Sequence, residues 1–266
     1  MKTALTQTLF GIFLIGFSQI TKADTTILLT DNFNAGGMGD FSSFNNANAS
    51  TQTGILSPMN YHVSYPINEA WRLQHSNNGQ LLSLPGSSAS SVADFGIAAN
   101  AENSPLRVSF TIDVGNWNNS TDPLQWAHFS IAKLPEQDPL TSNVFFSALF
   151  RLNGSTSFIG ASGGSGPNWT ANDMVTILFS DSSGTGSAFS GHGSRVSFTI
   201  GGVTVDYNMN PMDAGYITFG GYSYGSDGGI AKVDNLSVSL TVPEPSALSL
   251  LAVGLGLVLR RRRRTV

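Results

Sequence analysis

The chain contains no cysteine and unusually few charged residues. Its 266 residues include 13 Lys and Arg and 17 Asp and Glu, or 11% charged residues, where about 25% is usual for a soluble domain. The absence of cysteine excludes a disulfide scaffold and any zinc or iron–sulfur site with cysteine ligands. The shortage of Glu, Lys and Arg excludes a coiled coil. The stability of the folded part must therefore come from a core, for which 41% hydrophobic residues are available.

Residues 1–23 have the pattern of a secretory signal peptide. Lys2 supplies the positive charge, Leu9–Phe17 is the apolar stretch, and the predicted cleavage site lies before Asp24. The apolar stretch is too short to span about 30 Å of hydrocarbon as a helix. We therefore expect an exported chain that begins near Asp24, with an uncleaved N-terminal anchor as the alternative.

The last 24 residues, 243–266, form a second targeting pattern. Two prolines, Pro243 and Pro245, flank Glu244 and separate this tail from the preceding domain, because proline cannot continue a strand ladder. The apolar residues 246–259 predict a short membrane helix. Five arginines follow that run: Arg260, Arg261, Arg262, Arg263 and Arg264. Such a cluster stays on the cytoplasmic side and binds anionic lipid head groups.

This tail resembles the PEP-CTERM sorting signal of exported proteins from Gram-negative bacteria that make exopolysaccharide. The resemblance rests on Pro243-Glu244-Pro245 at the front and on the arginine cluster at the end. It implies transient anchoring in the inner membrane, cleavage by an exosortase (an integral membrane cysteine protease), and release or transfer to the cell surface. A tail anchor that is never processed is the alternative.

The segment between the two targeting patterns, residues 24–242, is strongly acidic. It keeps six Lys and Arg against sixteen Asp and Glu, a formal net charge of about −10. Nucleic acid is excluded as a partner, because its binding needs a basic surface. The charge is compatible with solubility in a polysaccharide matrix.

Residues 24–242 are predicted to form one all-β domain. Leu106–Val114 alternates Leu106, Val108, Phe110, Ile112 and Val114 with polar residues, which is the period of a half-buried strand. Similar runs are 26–33, 126–133, 144–152, 174–179, 195–200, 216–222 and 232–240. Clusters of Gly, Ser, Asn and Pro separate these runs, and no helical period lasts three turns. The pattern predicts two packed antiparallel sheets.

The first and last runs resemble those of concanavalin A-like or LamG-like jelly rolls. Leu28–Gly36 opens the domain and Ala231–Leu240 closes it. The resemblance implies that the first and last strands lie side by side. In that family the fold often binds glycans, and some members bind calcium.

The hexapeptide Arg-Val-Ser-Phe-Thr-Ile occurs twice, at 107–112 and 195–200. No constant spacing or further copy accompanies it, so a repeat architecture is not predicted. We interpret the two copies as edge-like strands that have the same alternation of polar and apolar residues independently of each other.

Aromatic residues in polar loops are the candidates for ligand binding. They are Trp117, Trp169, Tyr222 and Tyr224. An exposed ring can stack on a sugar face while neighbouring Asn and Asp side chains bond its hydroxyls. The alternative is that these rings fold back over the end of the sandwich.

No cofactor is predicted, and the weak candidates for a structural calcium ion are Asp31 and Asp234, with Asp227 nearby. Calcium needs six to eight oxygen ligands. Asp31 lies near the start of the domain and Asp234 near its end, and these two ends should be neighbours. The alternative is that these aspartates bond backbone amides. None of the four histidines is paired at metal-ligand spacing.

A glycoside hydrolase would need two carboxylates across the scissile bond. The segment 24–242 has only three glutamates, Glu69, Glu102 and Glu136, and none stands in a paired pattern. The sequence therefore predicts a non-catalytic surface or matrix protein that binds exopolysaccharide glycans. The alternatives are a purely structural surface protein without a specific ligand and a glycoside hydrolase.

Overall fold

Strands with one apolar and one polar face make up most of the domain. The computed structural model describes residues 25–34, 52–64, 73–75, 80–83, 87–116, 125–135, 141–160, 164–221, 223–224 and 227–241. These residues belong to one unit, Thr25–Thr241. The signal peptide and the tail, with Pro243, Glu244, Pro245 and Arg260 to Arg264, lie outside the described residues.

The described chain forms seventeen strands and one short helix. The strands are β1 (Thr25–Asp31), β2 (Gln52–Thr53), β3 (Tyr61–Ser64), β4 (Leu73–His75), β5 (Leu81–Ser83), β6 (Ser87–Ser91), β7 (Leu106–Asn116), β8 (Trp126–Ala132), β9 (Val144–Arg151), β10 (Thr156–Ile159), β11 (Gly164–Gly166), β12 (Asp173–Asp181), β13 (Ser194–Ile200), β14 (Val203–Met209), β15 (Tyr216–Gly221), β16 (Ser223–Tyr224) and β17 (Asp227–Thr241). The helix is α1 (Phe95–Ala101), whose N-terminus is capped by Asp94. No helix in the described part of the chain is long and apolar enough to cross a membrane.

Two antiparallel sheets carry the fold. The larger sheet has the order β14-β13-β12-β7-β17-β1-β2, with β5 and β16 paired to β17 and β4 paired to β5. The smaller sheet has the order β11-β10-β9-β8-β15. The strands β3 and β6 pair with each other, and the Ser90 and Thr218 hydroxyls, 2.7 Å apart, join β6 to β15. The predicted all-β, two-sheet antiparallel sandwich is confirmed.

The core lies between the inward faces of the two sheets. Phe110 on β7 stacks on Phe129 of β8, with ring centroids 5.3 Å apart, and meets Phe219 of β15 edge to face at 4.9 Å. All three rings are no more than 1% exposed. The alternation predicted for Leu106–Val114 is confirmed, and β7 continues to Asn116.

The first and last strands lie side by side, as expected. β1 pairs antiparallel with β17, from Thr25 opposite Thr241 to Asp31 opposite Leu236. β17 is also paired with β7, so the last strand of the domain is an interior strand of the larger sheet. The sheet is therefore complete only when the whole domain sequence is present.

The two copies of the repeated hexapeptide are interior strands, and the expectation of edge-like positions was wrong. β7 lies between β12 and β17, and β13 lies between β12 and β14. The polar half of the pattern reflects one face turned to solvent. It carries no information about which strands have a neighbour on each side.

Candidate functional site

The smaller sheet carries polar side chains on the face that points away from the core. On β8, Ala127, Phe129 and Ile131 lie in the core, so Trp126, His128 and Ser130 take the opposite face. On β9 and β15 the same alternation places Ser147, Arg151 and Thr218 on that face, together with the apolar Leu149 opposite His128. We call these six residues the polar face: Trp126, His128, Ser130, Ser147, Arg151 and Thr218.

A row of hydrogen-bonded side chains runs across the polar face. Ser130 lies opposite Thr218 on one side and opposite Ser147 on the other. The Ser130 and Ser147 hydroxyls are 2.8 Å apart, and Ser130 Oγ is 3.0 Å from His128 Nδ1. These four side chains are at most 1% exposed. Buried hydroxyls with fixed partners make this part of the sheet rigid.

Glycine makes room for the imidazole on this face. Gly220 lies opposite His128 in the β8–β15 pair. A Cβ atom at Gly220 would collide with His128 Nε2. The ring therefore rests against the β15 backbone, which fixes its orientation.

Trp126 and Arg151 lie at one end of the polar face. They are opposite each other in the β8–β9 pair, and both side chains are partly exposed. The Trp126 ring meets His128 edge to face, with centroids 6.2 Å apart and an interplanar angle of 70°. A partly exposed indole can stack on a sugar ring while a neighbouring guanidinium donates to a sugar hydroxyl. Sequence reasoning missed this pair, although Trp126 alternates with the polar residues His128 and Ser130.

The polar face contains basic groups and no acidic ones. Within the described residues, none of the strands β8, β9, β10, β11 and β15 contains Asp or Glu. A pair of carboxylates, which glycoside hydrolysis needs, is therefore not supplied by these strands.

The outer face of the larger sheet has a different polar pattern. One hydroxyl residue from each of the seven strands in the order β14-β13-β12-β7-β17-β1-β2 falls in a single cross-strand row: Thr204, Thr199, Thr176, Ser109, Ser237, Thr30 and Thr53. The Thr199 and Thr204 hydroxyls are 2.8 Å apart, and those of Thr30 and Thr53 are 2.6 Å apart. Cross-strand hydroxyl pairs of this kind stabilise strand pairing. The row supplies control positions on the opposite side of the domain from the polar face.

Trp169 does not present an exposed ring, so its predicted stacking role was wrong. Its side chain is 7% exposed, and its ring meets Phe150 edge to face at 6.4 Å. Its Nε1 donates to the Arg151 carbonyl oxygen at 3.1 Å. The indole covers apolar core at the end of the sandwich, which was the stated alternative.

The other predicted aromatic residues are not tested by the structure. Trp117 and Tyr222 lie outside the described residues. Tyr224 belongs to β16, but its side chain is not part of the description. Their ligand-binding role stays a prediction.

Asp31 lies in a buried network of donors. Its Oδ2 accepts from the Tyr61 hydroxyl at 2.9 Å and from Gln52 Nε2 at 2.8 Å, and its Oδ1 accepts from the Phe33 amide. Burial, followed by the Asp31 charge and hydrogen bond, raises the pKa of Tyr61 well above its ordinary value. Tyr61 therefore stays protonated and continues to donate to Asp31.

Asp234 lies close enough to Asp31 to feel its charge. Burial raises the pKa of Asp234, the Asp31 charge raises it further, and the hydrogen bond from the Asn235 amide opposes both effects. That hydrogen bond is 2.6 Å long. Within the described ranges, no group of three His, Asp or Glu is placed to hold a metal ion. Both Asp31 oxygens and Asp234 Oδ1 accept from protein donors, and calcium binding by these aspartates stays a prediction.

The chain's tail decides how the protein is sorted. Residues 241–264 match the family model described as the PEP-CTERM protein-sorting motif. The chain carries a PEP-CTERM sorting signal. This signal implies export and exosortase-mediated sorting to the surface of a bacterium. The match covers the tail alone, so the PEP-CTERM signal gives the route of the protein and not the activity of its sandwich.

Several solved structures are similar to the chain at low identity. Lectin II from Ulex europaeus is 10% identical; the comparison covers 77% of this chain and 99% of the lectin, with a TM-score of 0.42. The botulinum neurotoxin serotype D binding domain is 14% identical, with 88% and 51% covered and a TM-score of 0.45. A Trypanosoma rangeli sialidase is 12% identical, with 81% and 30% covered and a TM-score of 0.45. At these TM-scores the likeness establishes no shared ligand or activity. A search of the curated proteins found no match.

Proposed function

We propose that the protein is an exosortase-processed surface or matrix protein whose sandwich binds glycans of the exopolysaccharide layer without catalysis. The match of residues 241–264 to the sorting motif is the observation that carries the proposal. The tail begins where the last strand ends, so a complete sandwich is delivered with the signal attached.

We also propose the route by which the protein reaches the cell surface. The apolar residues 246–259 and the arginines Arg260–Arg264 anchor the precursor transiently in the inner membrane of a Gram-negative cell. Exosortase then removes this tail and the sandwich reaches the surface. The net charge of about −10 on residues 24–242 keeps the released domain soluble.

The polar face supports glycan binding. Its accessible part is the pair of partly exposed side chains Trp126 and Arg151, while the buried hydroxyls of Ser130 and Ser147 bond each other and keep this part of the sheet rigid. Sugars need both an apolar surface for the ring face and directed polar groups for their hydroxyls. Trp117 and Tyr222 remain further candidates for contacts with the same ligand.

Two alternatives lead to different results in the same experiment. A purely structural surface protein would bind no glycan. A glycoside hydrolase would shorten the glycan that it binds, and its carboxylates would have to come from segments other than β8, β9, β10, β11 and β15.

Binding to a glycan panel tests the proposal. The processed protein is applied with calcium and with chelator, and the Trp126→Ala variant is compared with Thr176→Val on the larger sheet. We expect Trp126→Ala to lower affinity about tenfold or more, as loss of a central aromatic contact does. Thr176→Val should leave affinity within about twofold of the wild type, since it lies on the opposite sheet.

Other outcomes separate the alternatives. Absence of binding to any glycan under either condition leaves the structural alternative. Shortened glycan products establish the hydrolase. Equal loss of binding in both variants means that the polar face is not the site.

A further inference from the structure

One edge of the larger sheet is a long strand that has a neighbour on one side. In the part of the chain that the structure describes, β14 pairs with β13 alone. The pairing is regular along the whole strand, from Val203 opposite Ile200 to Met209 opposite Ser194. Edge strands are usually protected from pairing by lysine, proline, a bulge or a short length. β14, with the sequence Val-Thr-Val-Asp-Tyr-Asn-Met, has none of these protections.

The turn before β14 determines which of its backbone groups face the open edge. The glycines at 201–202 have φ of +56° and +78°, as in a two-residue hairpin turn. In such a turn the amide of Val203 donates to the Ile200 carbonyl oxygen. Bonded and non-bonded pairs alternate along an antiparallel ladder. The backbone N–H and C=O groups that point away from β13 are therefore those of Thr204, Asp206 and Asn208, whose side chains are exposed.

The apolar side of β14 is only partly covered. Val203 is 53% exposed. Val205 and Tyr207 pack against the core but are only half-buried. The Tyr207 ring contacts Phe158 of β10, with centroids 4.9 Å apart. The core therefore extends to this edge and stays partly open there, so a further strand beside β14 would remove apolar surface from water.

The hairpin of β13 and β14 is locally neutral. Residues 194–209 contain two charged residues, Arg195 and Asp206, and Arg195 Nη2 lies 2.7 Å from Asp206 Oδ2. The segment 24–242 as a whole carries a net charge of about −10. Two acidic copies of the domain therefore repel each other little if they meet at this edge.

We propose that β14 binds β14 of a second copy of this chain, in a symmetric antiparallel pair in which Val205 lies opposite its own counterpart. In this register Thr204 lies opposite Asp206 of the partner subunit, and its hydroxyl can donate to that carboxylate. Val203 lies opposite Tyr207 of the partner subunit, so its exposed side chain packs beside an aromatic ring. Both contacts occur twice, because the pair is symmetric.

The other symmetric registers are less favourable. The register centred on Asp206 places two carboxylates directly opposite each other, and like charges destabilise such a pair. The register centred on Tyr207 leaves Val203 uncovered. The register centred on Thr204 pairs only residues 203–205. The register centred on Val205 is therefore the one that combines apolar and polar contacts.

A joined sheet places both polar faces on the same side of the dimer. The two-fold axis is perpendicular to the joined sheet, so both smaller sheets lie on one side of it. This consequence, unlike the association itself, rests on the proposed function. Two glycan sites that face the same way can bind one polymer together, which raises the avidity of the dimer for a polysaccharide.

A single cysteine tests the proposed register. The chain has no cysteine, so Val205→Cys introduces the only thiol. Cα atoms of a non-hydrogen-bonded antiparallel pair are about 4.5 Å apart, which a disulfide can bridge. Residues 24–242, which include the compact unit Thr25–Thr241, are oxidised in air, and covalent dimer is followed by non-reducing electrophoresis. We expect rapid formation of a dimer that reductant reverses.

Val203→Cys is the matched control on the same strand and face. Its thiol starts from the more exposed position, so random collisions favour it over residue 205. In the proposed register the two copies of residue 203 are offset by four residues, about 13 Å along the strands, and cannot be bridged. We expect Val205→Cys to crosslink at least about tenfold faster, because pairing raises the effective concentration of its thiols.

A charge at Thr204 tests the contact with the partner's Asp206 without a crosslink. Thr204→Asp places like charges opposite each other twice, whereas Thr204→Asn has nearly the same shape and no charge. Sedimentation equilibrium measures self-association, and urea titration checks that both variants fold. We expect the dimer of Thr204→Asp to be about tenfold weaker than that of Thr204→Asn. High salt should reduce this difference.

The outcomes separate this inference from the proposed function. A chain that stays monomeric at about 0.1 mM overturns the inference, since association weaker than this gives no stable dimer. Crosslinking of Val203→Cys as fast as Val205→Cys overturns the register, and so does equal association of the two Thr204 variants. Dimers that bind no glycan leave this inference intact and contradict the proposed function.

Discussion

The hydrogen bonds and charges around an aspartate decide how its ionised form affects the stability of this domain. Asp31 is 3% exposed and is stabilised by the Tyr61 hydroxyl and the Gln52 amide. Asp234 accepts from the Asn235 backbone amide and feels the Asp31 charge. Asp206, on the surface, receives hydrogen bonds from Arg195 and Ser197 that lower its pKa. Asp234 and Asp206, which both lie in the larger sheet, therefore have pKa shifts of opposite sign.

The pH dependence of stability separates these two aspartates. The pKa of Asp234 is raised above its ordinary value of 3.8, so its ionised form is destabilising in the folded state. This cost is absent below pH 3.8, grows as pH rises through the raised pKa, and is complete at neutral pH. Asp234→Asn keeps an acceptor for the Asn235 amide and removes the charge. We expect its urea midpoint at pH 7 to equal or exceed that of the wild type.

Asp206→Asn is the matched control with the opposite sign. Its lowered pKa means that the ionised form contributes stability above pH 3.8, which is lost as pH falls through the lowered pKa. We expect this variant to be less stable at pH 7 and to match the wild type in acid. Urea titrations from pH 2.5 to pH 8 compare both variants. An Asp234→Asn protein that is less stable than the wild type at pH 7 would contradict the account.

At the scale of elements, two glycines with positive φ differ in why a glycine is needed there. Gly160 follows β10 with φ +90°, and a Cβ atom there would meet the Phe145 carbonyl oxygen of β9. Gly191 has a similar φ of +80°, but a Cβ atom there would meet nothing within 4 Å. The first glycine is needed for both conformation and space, and the second for conformation alone.

These two glycines make a matched pair of substitutions. Gly191→Ala should cost about 1 kcal/mol, the usual penalty for a left-handed alanine. Gly160→Ala should cost about 3 kcal/mol or more, because the carbonyl contact adds to that penalty. The free energy of unfolding from urea titration measures both changes. An equal loss of unfolding free energy in the two variants would contradict this prediction. It would mean that β9 shifts away from residue 160 without a cost.

The sequence predicted the elements whose two faces differ in polarity. β7 and β13 alternate apolar and polar residues, and their period is readable without a structure. β6, with the sequence Ser-Ser-Ala-Ser-Ser, and β11, with Gly-Ser-Gly, have the composition of turns, so their strand pairing was not predictable. They are strands because neighbouring strands supply their partners.

The candidate site was less predictable than the fold. Trp126 falls in a run that looks like core, and both faces of β8 are largely buried. Burial on both faces blurs the period of two, so the polar set Trp126, His128 and Ser130 gives little signal. Trp169 gave a false signal, because a tryptophan in a Gly- and Asn-rich loop looks exposed. Its burial depends on the open end of the sandwich, which no local pattern reveals.

The whole molecule combines an acidic sandwich with a basic tail. The last strand is an interior strand of the larger sheet and ends where the sorting signal begins. Because β17 pairs with both β7 and β1, the sandwich needs the entire exported segment to close.

The intact mass of the protein recovered from the cell surface tests the central claim most directly. The account predicts that the recovered chain begins near Asp24 and lacks the arginines Arg260–Arg264, and that the tail is retained in cells without exosortase. Surface protein that still carries Arg260–Arg264 in exosortase-containing cells would contradict the account.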